Sequence, residues 1–293
     1  MKQSRATAIG FVAVLLWSLL AFLTVKTAPV PPFQLSAMAF FVGGSIGLAW
    51  LWRTKSMRTV LRGAGWQVWA LGIGGLFGYH FLYFSALRLA PAAEAGLIAY
   101  LWPLLIVLFS GLLPGETLRR GHVIGALISL AGAALLILSG GGGFSRIFLA
   151  GYALAVLCAL TWSGYSVLSR RAHKTPTGIV VYYCIATAIL ATLAHFSFEQ
   201  TRWPADVTGW FSVLLLGLGP VGLAFYLWDI GMKKGDVQML GVASYAAPLL
   251  STLVLVTTGL AQPSMALLGA AGLITIGAIV AARASKNRQP SNQ

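Results

Sequence analysis

A group of side chains that could bind a small ligand lies in two neighbouring apolar segments of the chain. Its members are Tyr79, His80, Tyr83, Tyr100, Trp102 and Pro103. Phenol, imidazole and indole rings offer an apolar face and a hydrogen-bonding atom, while a proline within a helix leaves a backbone carbonyl without its usual donor. The set suits a guest with an apolar body and few polar groups, such as a zwitterion with an apolar side chain or a flat organic cation.

Helical spacing predicts that the rings of the first segment share one broad face. Residues four apart lie one above the other on a helix, so we expect Tyr79 over Tyr83 and His80 over Phe84. Near mid-membrane, polar rings favour a cavity because lipid offers them no hydrogen-bond partner; an interfacial belt or ordinary packing is the alternative. Tryptophans near predicted span ends are better belt candidates: Trp66, Trp69, Trp203 and Trp210.

His80 has no second histidine, cysteine or carboxylate at ligand spacing, so we do not expect it to bind a metal. It is either a proton carrier or a neutral hydrogen-bond partner for a tyrosine or the substrate. Because burial in a low dielectric disfavours the imidazolium, we interpret it as the neutral partner.

The composition indicates a membrane protein. Of 293 residues, 58% are hydrophobic and only 9% charged, whereas about a quarter are charged in a soluble domain. The net charge of +14 comes from basic residues scattered between apolar runs, which is typical of topology signals and argues against a nucleic-acid partner. Cys158 and Cys184 lie in apolar runs without a CxxC motif, and we expect small buried hydrophobes there, with a disulfide or metal site as the alternative.

The apolar runs predict ten membrane spans. Their approximate bounds are residues 6–26, 33–52, 66–88, 91–113, 121–139, 149–171, 177–198, 209–232, 236–260 and 264–283. With the N-terminus inside, sixteen of the twenty basic residues fall in inner segments, and the other four are Lys26, Arg88, Arg146 and Arg202. Because basic residues accumulate on the cytoplasmic side, both termini are predicted to be cytoplasmic.

The chain also repeats itself with an offset of 145 residues. The offset relates Trp17 to Trp162, Ser18 to Ser163, Gly74 to Gly219, Tyr100 to Tyr245 and Pro103 to Pro248. Since each half has five spans, an odd number, the second copy must cross the membrane in the opposite direction. The glycine-rich stretch 140–144 lies between the copies and is interpreted as a flexible linker.

The repeat extends the set of candidate substrate-binding residues. The additional members are Trp17, Trp162, Ser244, Tyr245 and Pro248. Each mid-span proline either frees a carbonyl that could bind a substrate ammonium or simply kinks its helix. The two tryptophans could close the cavity from opposite sides, or the first helices of the two halves could pack against each other there.

Several features together resemble the drug/metabolite transporter superfamily, whose repeats are EamA-like. They are the ten spans, the inverted repeat, the Trp-Ser pair in the first helix of each half, and the Tyr-x-x-Pro-Leu-Leu motif at 100–105 and 245–250. The resemblance implies an all-α integral membrane protein, a basket-shaped bundle of two inverted five-helix repeats. The corresponding domains are 1–143 and 144–284, followed by a cytoplasmic tail at 285–293.

Within this superfamily, the aromatic cluster is most similar to exporters of aromatic amino acids. The resemblance implies a location in the cell inner membrane and efflux of amino acids or related metabolites through a central cavity. We expect the substrates to be Phe, Tyr, Trp and other neutral amino acids. We expect the protein to be a monomer surrounded by membrane lipid. We expect no cofactor, no metal and no nucleic-acid partner.

The acidic residues within the predicted spans bear on how transport is coupled to energy. Only Glu94 and Asp229 lie within predicted spans, both near span ends, and Asp229 stands four residues before Lys233, where an ion pair is expected. We therefore hypothesise facilitated, substrate-gradient-driven efflux by alternating access. Proton antiport through His80 or Asp229, by a drug, organic-cation or metabolite exporter, is the alternative.

Two other classes of protein fit the sequence less well. An intramembrane enzyme would need an HExxH motif, paired aspartates, or a nucleophile with a histidine at helical spacing, and the sequence contains none of these. A receptor-like or structural membrane protein would not require an inverted repeat or mid-span prolines.

Overall fold

The computed structural model describes residues 1–62, 64–139 and 144–286, so most of the predicted linker at 140–144 lies outside the described residues. Over the described ranges the chain is helical and contains no β-strand. The α-helices are α1 (Gln3–Trp17), α2 (Leu20–Lys26), α3 (Pro32–Arg53), α4 (Met57–Leu61), α5 (Trp66–Ile73), α6 (Tyr79–Leu89), α7 (Ala92–Ala99), α8 (Trp102–Ser110), α9 (Arg120–Leu138), α10 (Leu149–Ser169), α11 (Ile179–Phe198), α12 (Val207–Leu218), α13 (Ala224–Lys234), α14 (Val237–Ala243), α15 (Ala246–Thr257) and α16 (Met265–Lys286). Two π-helical segments, Gly74–Gly78 and Gly219–Leu223, and a 3-10 turn at Arg146–Phe148 complete the described helices.

In the described ranges, ten helical segments are long and apolar enough to cross a membrane, which confirms the predicted spans to within a few residues. In chain order, spans 1 to 10 are Gln3–Lys26, Pro32–Arg53, Trp66–Leu89, Ala92–Ser110, Arg120–Leu138, Arg146–Ser169, Ile179–Phe198, Val207–Lys234, Val237–Thr257 and Met265–Ser285. Because their number is even, both ends of the bundle lie on one side of the membrane. That side is called the N-terminal side below, and the opposite one the distal side.

The repeat seen in the sequence recurs in the local backbone structure. The π segment of span 3, Gly74–Gly78, has a counterpart 145 residues later in span 8, Gly219–Leu223. The helices that follow, α6 and α13, begin and end at corresponding residues. Spans 4 and 9 are each broken into two helices near their middle. The two halves therefore share these irregularities, which supports a common five-helix unit, although span 1 is also broken at Ser18 and Leu19 whereas α10 of span 6 is continuous.

The two copies pack against each other along their whole length. Span 5 lies against span 10, span 2 against span 7, and α1 against α13 in the way that α6 lies against α10. Small residues permit the closest approaches: a Cβ on Gly43 would stand 2.7 Å from the Cα of Gly222, and one on Gly125 would stand 2.5 Å from the carbonyl oxygen of Gly277. Backbone contact at these crossings explains how ten helices enclose a compact interior.

Candidate functional site

The aromatic face of span 3 begins where its π segment ends. Tyr79 is the first residue of α6, and its ring is parallel to that of Tyr83, with centroids 6.1 Å apart and an interplanar angle of 4°. The His80 and Phe84 rings are also 6.1 Å apart. Both predicted i, i+4 pairs are thus present. All four rings are half-buried although they lie mid-span, and Tyr79 contacts Trp162 of the other repeat at 5.3 Å, so the face points into the protein interior.

The position of the His80 proton follows from its hydrogen bond. Nδ1 lies 2.7 Å from the carbonyl oxygen of Leu76, one turn earlier, and a carbonyl can only accept, so Nδ1 carries the proton. A neutral ring then presents Nε2 as an acceptor. The Phe40 ring lies 5.0 Å away and the Phe225 ring 6.1 Å away, both from other helices. These apolar neighbours favour the neutral form of the imidazole over the charged form.

A cluster of tryptophans closes the interior beside this face. Trp17 lies 5.7 Å from Trp162, 6.2 Å from Trp102 and 5.1 Å from Trp228, measured between ring centroids. Phe225 completes the cluster at 5.7 Å from Trp162. The indole nitrogen of Trp17 donates to the Pro220 carbonyl at 3.0 Å, within the π segment of span 8. The first helices of the two halves therefore meet through their equivalent tryptophans.

Phe225 and Trp228 were not among the candidate residues from the sequence, although the repeat offset pointed to them. Subtracting 145 from their numbers gives His80 and Tyr83, which belong to the aromatic face. Each repeat thus contributes a pair of rings from the same position, but one pair is polar and the other carries Phe and Trp. Because the two pairs differ chemically, the sequence did not reveal that they occupy equivalent positions.

The mid-span prolines stand just after breaks in their helices. Span 4 breaks at Tyr100 and Leu101, before Pro103, and span 9 breaks at Ser244 and Tyr245, before Pro248. The two tyrosine rings approach to 6.3 Å. Because a proline clashes with the carbonyl four residues earlier, each break lies where the chain relieves that clash.

Span 9 has fewer polar groups available to a ligand than its sequence predicts. Tyr245 is completely buried, and its phenolic oxygen accepts the backbone N–H of Leu104 at 3.1 Å, linking the two broken spans. Ser244 is also buried and donates to the carbonyl of Leu240 at 2.8 Å, while the carbonyl of Pro248 accepts from Thr252. In this conformation, these polar groups are engaged within the protein.

The candidates thus fall into two sets. Those whose rings or backbone remain half-buried are Trp17, Tyr79, His80, Tyr83, Tyr100 and Pro248. Those that are buried are Trp102, Pro103, Trp162, Ser244 and Tyr245. The first set keeps some exposed surface in the protein interior, whereas the second is buried and includes Ser244 and Tyr245 at the break of span 9.

The interior is closed on the N-terminal side. There α8, the second half of span 4, packs against α14, the first half of span 9, whereas the equivalent distal halves, α7 and α15, make no comparable contact in the described structure. Likewise, α10 contacts α13, but its counterpart α1 makes no comparable contact with α6. The two halves, although similar in sequence, therefore pack differently on the two sides.

Charged groups tie the closed side together. Arg170 donates to Glu116 at 2.5 Å and to the carbonyl oxygens of Gly235 and Met232 at 2.7 and 3.1 Å. The predicted ion pair is present, with 2.9 Å between Lys233 and Asp229. Together these contacts join the ends of spans 4, 6, 8 and 9 at the N-terminal side.

In the ranges that the structure describes, no group of His, Cys, Asp and Glu side chains could hold a metal ion. The candidate site consists of aromatic rings, the His80 imidazole and broken helices.

The fold and the interior site together define a membrane transporter, and the comparisons agree: the EamA-like transporter family matches residues 5–138 and 149–283. The chain belongs to this family. It is accordingly a multi-pass inner-membrane transporter and not an enzyme.

Among its relatives, the "Aromatic amino acid exporter YddG" of Ancylobacter novellus is 57% identical over 283 residues, covering 96% of this chain and 98% of the relative. The protein of the same name from Salmonella typhimurium is 27% identical, covering 86% of this chain and 88% of the relative. A solved structure, titled "Crystal structure of protein", is 55% identical with a TM-score of 0.92 and covers 97% of this chain and 100% of that chain.

Proposed function

We propose that the protein exports aromatic and other neutral amino acids, or closely related metabolites, across the inner membrane. The observation that carries this proposal is the 57% identity, over 96% of the chain, to a relative named as an aromatic amino acid exporter. The half-buried rings of Tyr79, His80, Tyr83 and Tyr100 support it, because they suit an aromatic side chain and leave phenol and imidazole atoms for the polar groups of an amino acid.

The transport mechanism in this proposal is alternating access. The unequal packing of equivalent half-helices supports it, since exchanging the conformations of the two repeats would close the distal side and open the N-terminal side. The breaks before Pro103 and Pro248 supply hinges at mid-membrane. The repeats 1–143 and 144–284 are the moving units, with cytoplasmic termini inferred from the positive residues; helix α16 continues to Lys286, past the proposed start of the tail at residue 285.

We further propose that export is facilitated, not proton-coupled, and that the monomer is the working unit. Asp229 is paired with Lys233 and accepts a hydrogen bond from Thr177 at 2.7 Å, so its charge has partners in the closed conformation. A proton-coupled exporter needs a carboxylate or imidazole that releases its proton between the two states. Counterflow with and without a pH gradient separates the two mechanisms.

The test is uptake of labelled tryptophan by proteoliposomes preloaded with unlabelled aromatic amino acids. Counterflow should occur without a pH gradient and should be lost in His80→Ala and Trp102→Ala. Matched controls are His173→Ala and Trp66→Ala, which alter exposed residues of the same types. Counterflow that follows an imposed pH gradient would replace facilitated export by proton antiport, and folded protein without counterflow would exclude aromatic amino acids as substrates.

A further inference from the structure

A basic groove lies where span 2 ends on the N-terminal side. It is lined by Trp52, Arg53, Lys55, Met57 and Arg58 and encloses about 490 Å³. Arg53 is the last residue of α3, so the groove stands at the level where the apolar helix meets the headgroup region. Nothing in the proposed transport cycle uses it.

The positive charge of the groove is not balanced within the chain. The sequence has no acidic residue before Glu94, and none of the ion pairs in the described residues includes Arg53, Lys55 or Arg58. Three cations within six positions repel one another, so an external anion would stabilise the arrangement.

The scaffold of the groove is firmly folded. Lys55 has a φ of 54°, in the left-handed region that non-glycine residues rarely adopt, and it forms the turn between α3 and α4. The N–H of Ser56 donates to the carbonyl of Leu51 at 3.0 Å. On α4, Val60 is buried beside Leu51 and Gly178, which fixes this short helix to the start of span 7. The three cations therefore extend from a backbone of defined shape.

The groove also has an apolar wall. Trp52 is 72% exposed and Trp50, two residues earlier, is 57% exposed, at the depth where indoles insert among lipid headgroups. A free inorganic anion has no apolar part that could contact these indole rings. A phospholipid has both a phosphate and an apolar glycerol-ester region.

We propose that this groove binds one anionic phospholipid, with its phosphate among Arg53, Lys55 and Arg58 and its glycerol-ester region against Trp52 and Met57. Basic recesses beside membrane helices recognise anionic headgroups in this way, and guanidinium groups bind phosphate oxygens with charge-assisted hydrogen bonds. The lipid supplies the counter-charge that the first part of the chain lacks.

Native mass spectrometry of the full-length protein in mild detergent tests the proposal by titration with phosphatidylglycerol or phosphatidylcholine. The groove variant is R53Q/K55Q/R58Q, and the control is K2Q/R5Q/K174Q, which removes three exposed cations placed elsewhere on the same side. The apparent Kd of the first phosphatidylglycerol should weaken roughly tenfold or more in the groove variant and remain unchanged in the control. Phosphatidylcholine should bind weakly to all three proteins.

Competition with inorganic phosphate and a Trp52→Ala variant distinguish a lipid from a free ion. Bound phosphatidylglycerol should resist millimolar phosphate, and Trp52→Ala should weaken lipid binding. Displacement of the lipid by phosphate, or equal lipid binding by the groove and control variants, would overturn the proposal. Comparable melting temperatures of the variants exclude misfolding as the cause of any loss.

Discussion

Trp228 makes several contacts on the closed side of the protein. It is completely buried, its ring lies 5.9 Å from Trp102 and 6.3 Å from Trp162, and its indole N–H donates to the hydroxyl of Ser166 at 3.0 Å. An indole so enclosed contributes both apolar burial and a satisfied hydrogen bond.

Replacing Trp228 by alanine should therefore lower the free energy of unfolding by about 3 to 5 kcal/mol, because a large cavity would form among the remaining rings. Trp228→Phe should lose less, since it keeps most of the ring. Thermal unfolding in detergent measures the effect. Trp66→Ala, at a residue 76% exposed, is the control and should change little. Equal melting temperatures for Trp228→Ala and wild type would contradict the structural role given to the cluster.

At the residue scale, helical spacing predicted the stacking of Tyr79 on Tyr83 and the proximity of His80 and Phe84. It could not predict that Tyr245 is buried with its hydroxyl bonded to the Leu104 backbone, because that contact joins different repeats. A sequence gives the direction of a side chain on its own helix, whereas its partners depend on how the helices are arranged.

Among the elements, the broken spans 4 and 9 contain the hinges of the proposed transport cycle. In each, two helices meet at a turn just before a proline, and the phenol of Tyr245 takes the N–H of Leu104 that an unbroken helix would direct to the carbonyl of Tyr100. The backbone hydrogen bonding of a continuous helix is thus interrupted in span 4, where the proposed cycle requires the two halves to reorient.

Replacing Pro103 by alanine restores a backbone donor at this joint and allows a helix to continue through it, since a proline in a helix interior costs about 3 kcal/mol or more. We expect a more continuous span 4, a higher melting temperature and a lower maximal rate of tryptophan counterflow, with substrate affinity largely kept. Pro91→Ala, which alters the residue before α7, is the control. An unchanged maximal rate would show that the break is not a hinge.

Hydropathy alone located all the spans because twenty or so apolar residues have few alternatives to crossing the bilayer. It did not place the breaks at Tyr100 and Tyr245, nor the π segments at Gly74–Gly78 and Gly219–Leu223. Such irregularities depend on which backbone groups form hydrogen bonds with neighbouring helices, and hydropathy does not predict those partners.

For the molecule as a whole, Arg170 is the residue that links most of the closed side. Its guanidinium contacts Glu116 and two carbonyl oxygens near the joint of spans 8 and 9, and Glu116 also accepts from Gln238. The neighbouring Arg171 makes only a long contact, 3.4 Å, to the carbonyl of Leu112.

Arg170→Ala should shift the population towards opening on the N-terminal side, since hydrogen bonds to charged groups contribute about 1.5 to 3 kcal/mol each. A cysteine at the buried Ser110, in a background lacking Cys158 and Cys184, reports this opening by its rate of alkylation. The rate should rise roughly tenfold or more in Arg170→Ala. Arg171→Ala is the control, and equal rates in both variants would show that Arg170 does not hold this side closed.

Phe225 and Trp228 in the second repeat correspond to His80 and Tyr83 in the first, and this difference affects which conformation the protein favours without substrate. In the proposed conformation open to the N-terminal side, His80 and Tyr83 would take the positions that the equivalent Phe225 and Trp228 occupy in the present seal. That seal would need to satisfy an imidazole and a phenol, whereas the rings of the present one are apolar apart from their indole nitrogens. The two gates are thus chemically unequal, and without substrate we expect the molecule to rest in the state whose gate is the less polar one.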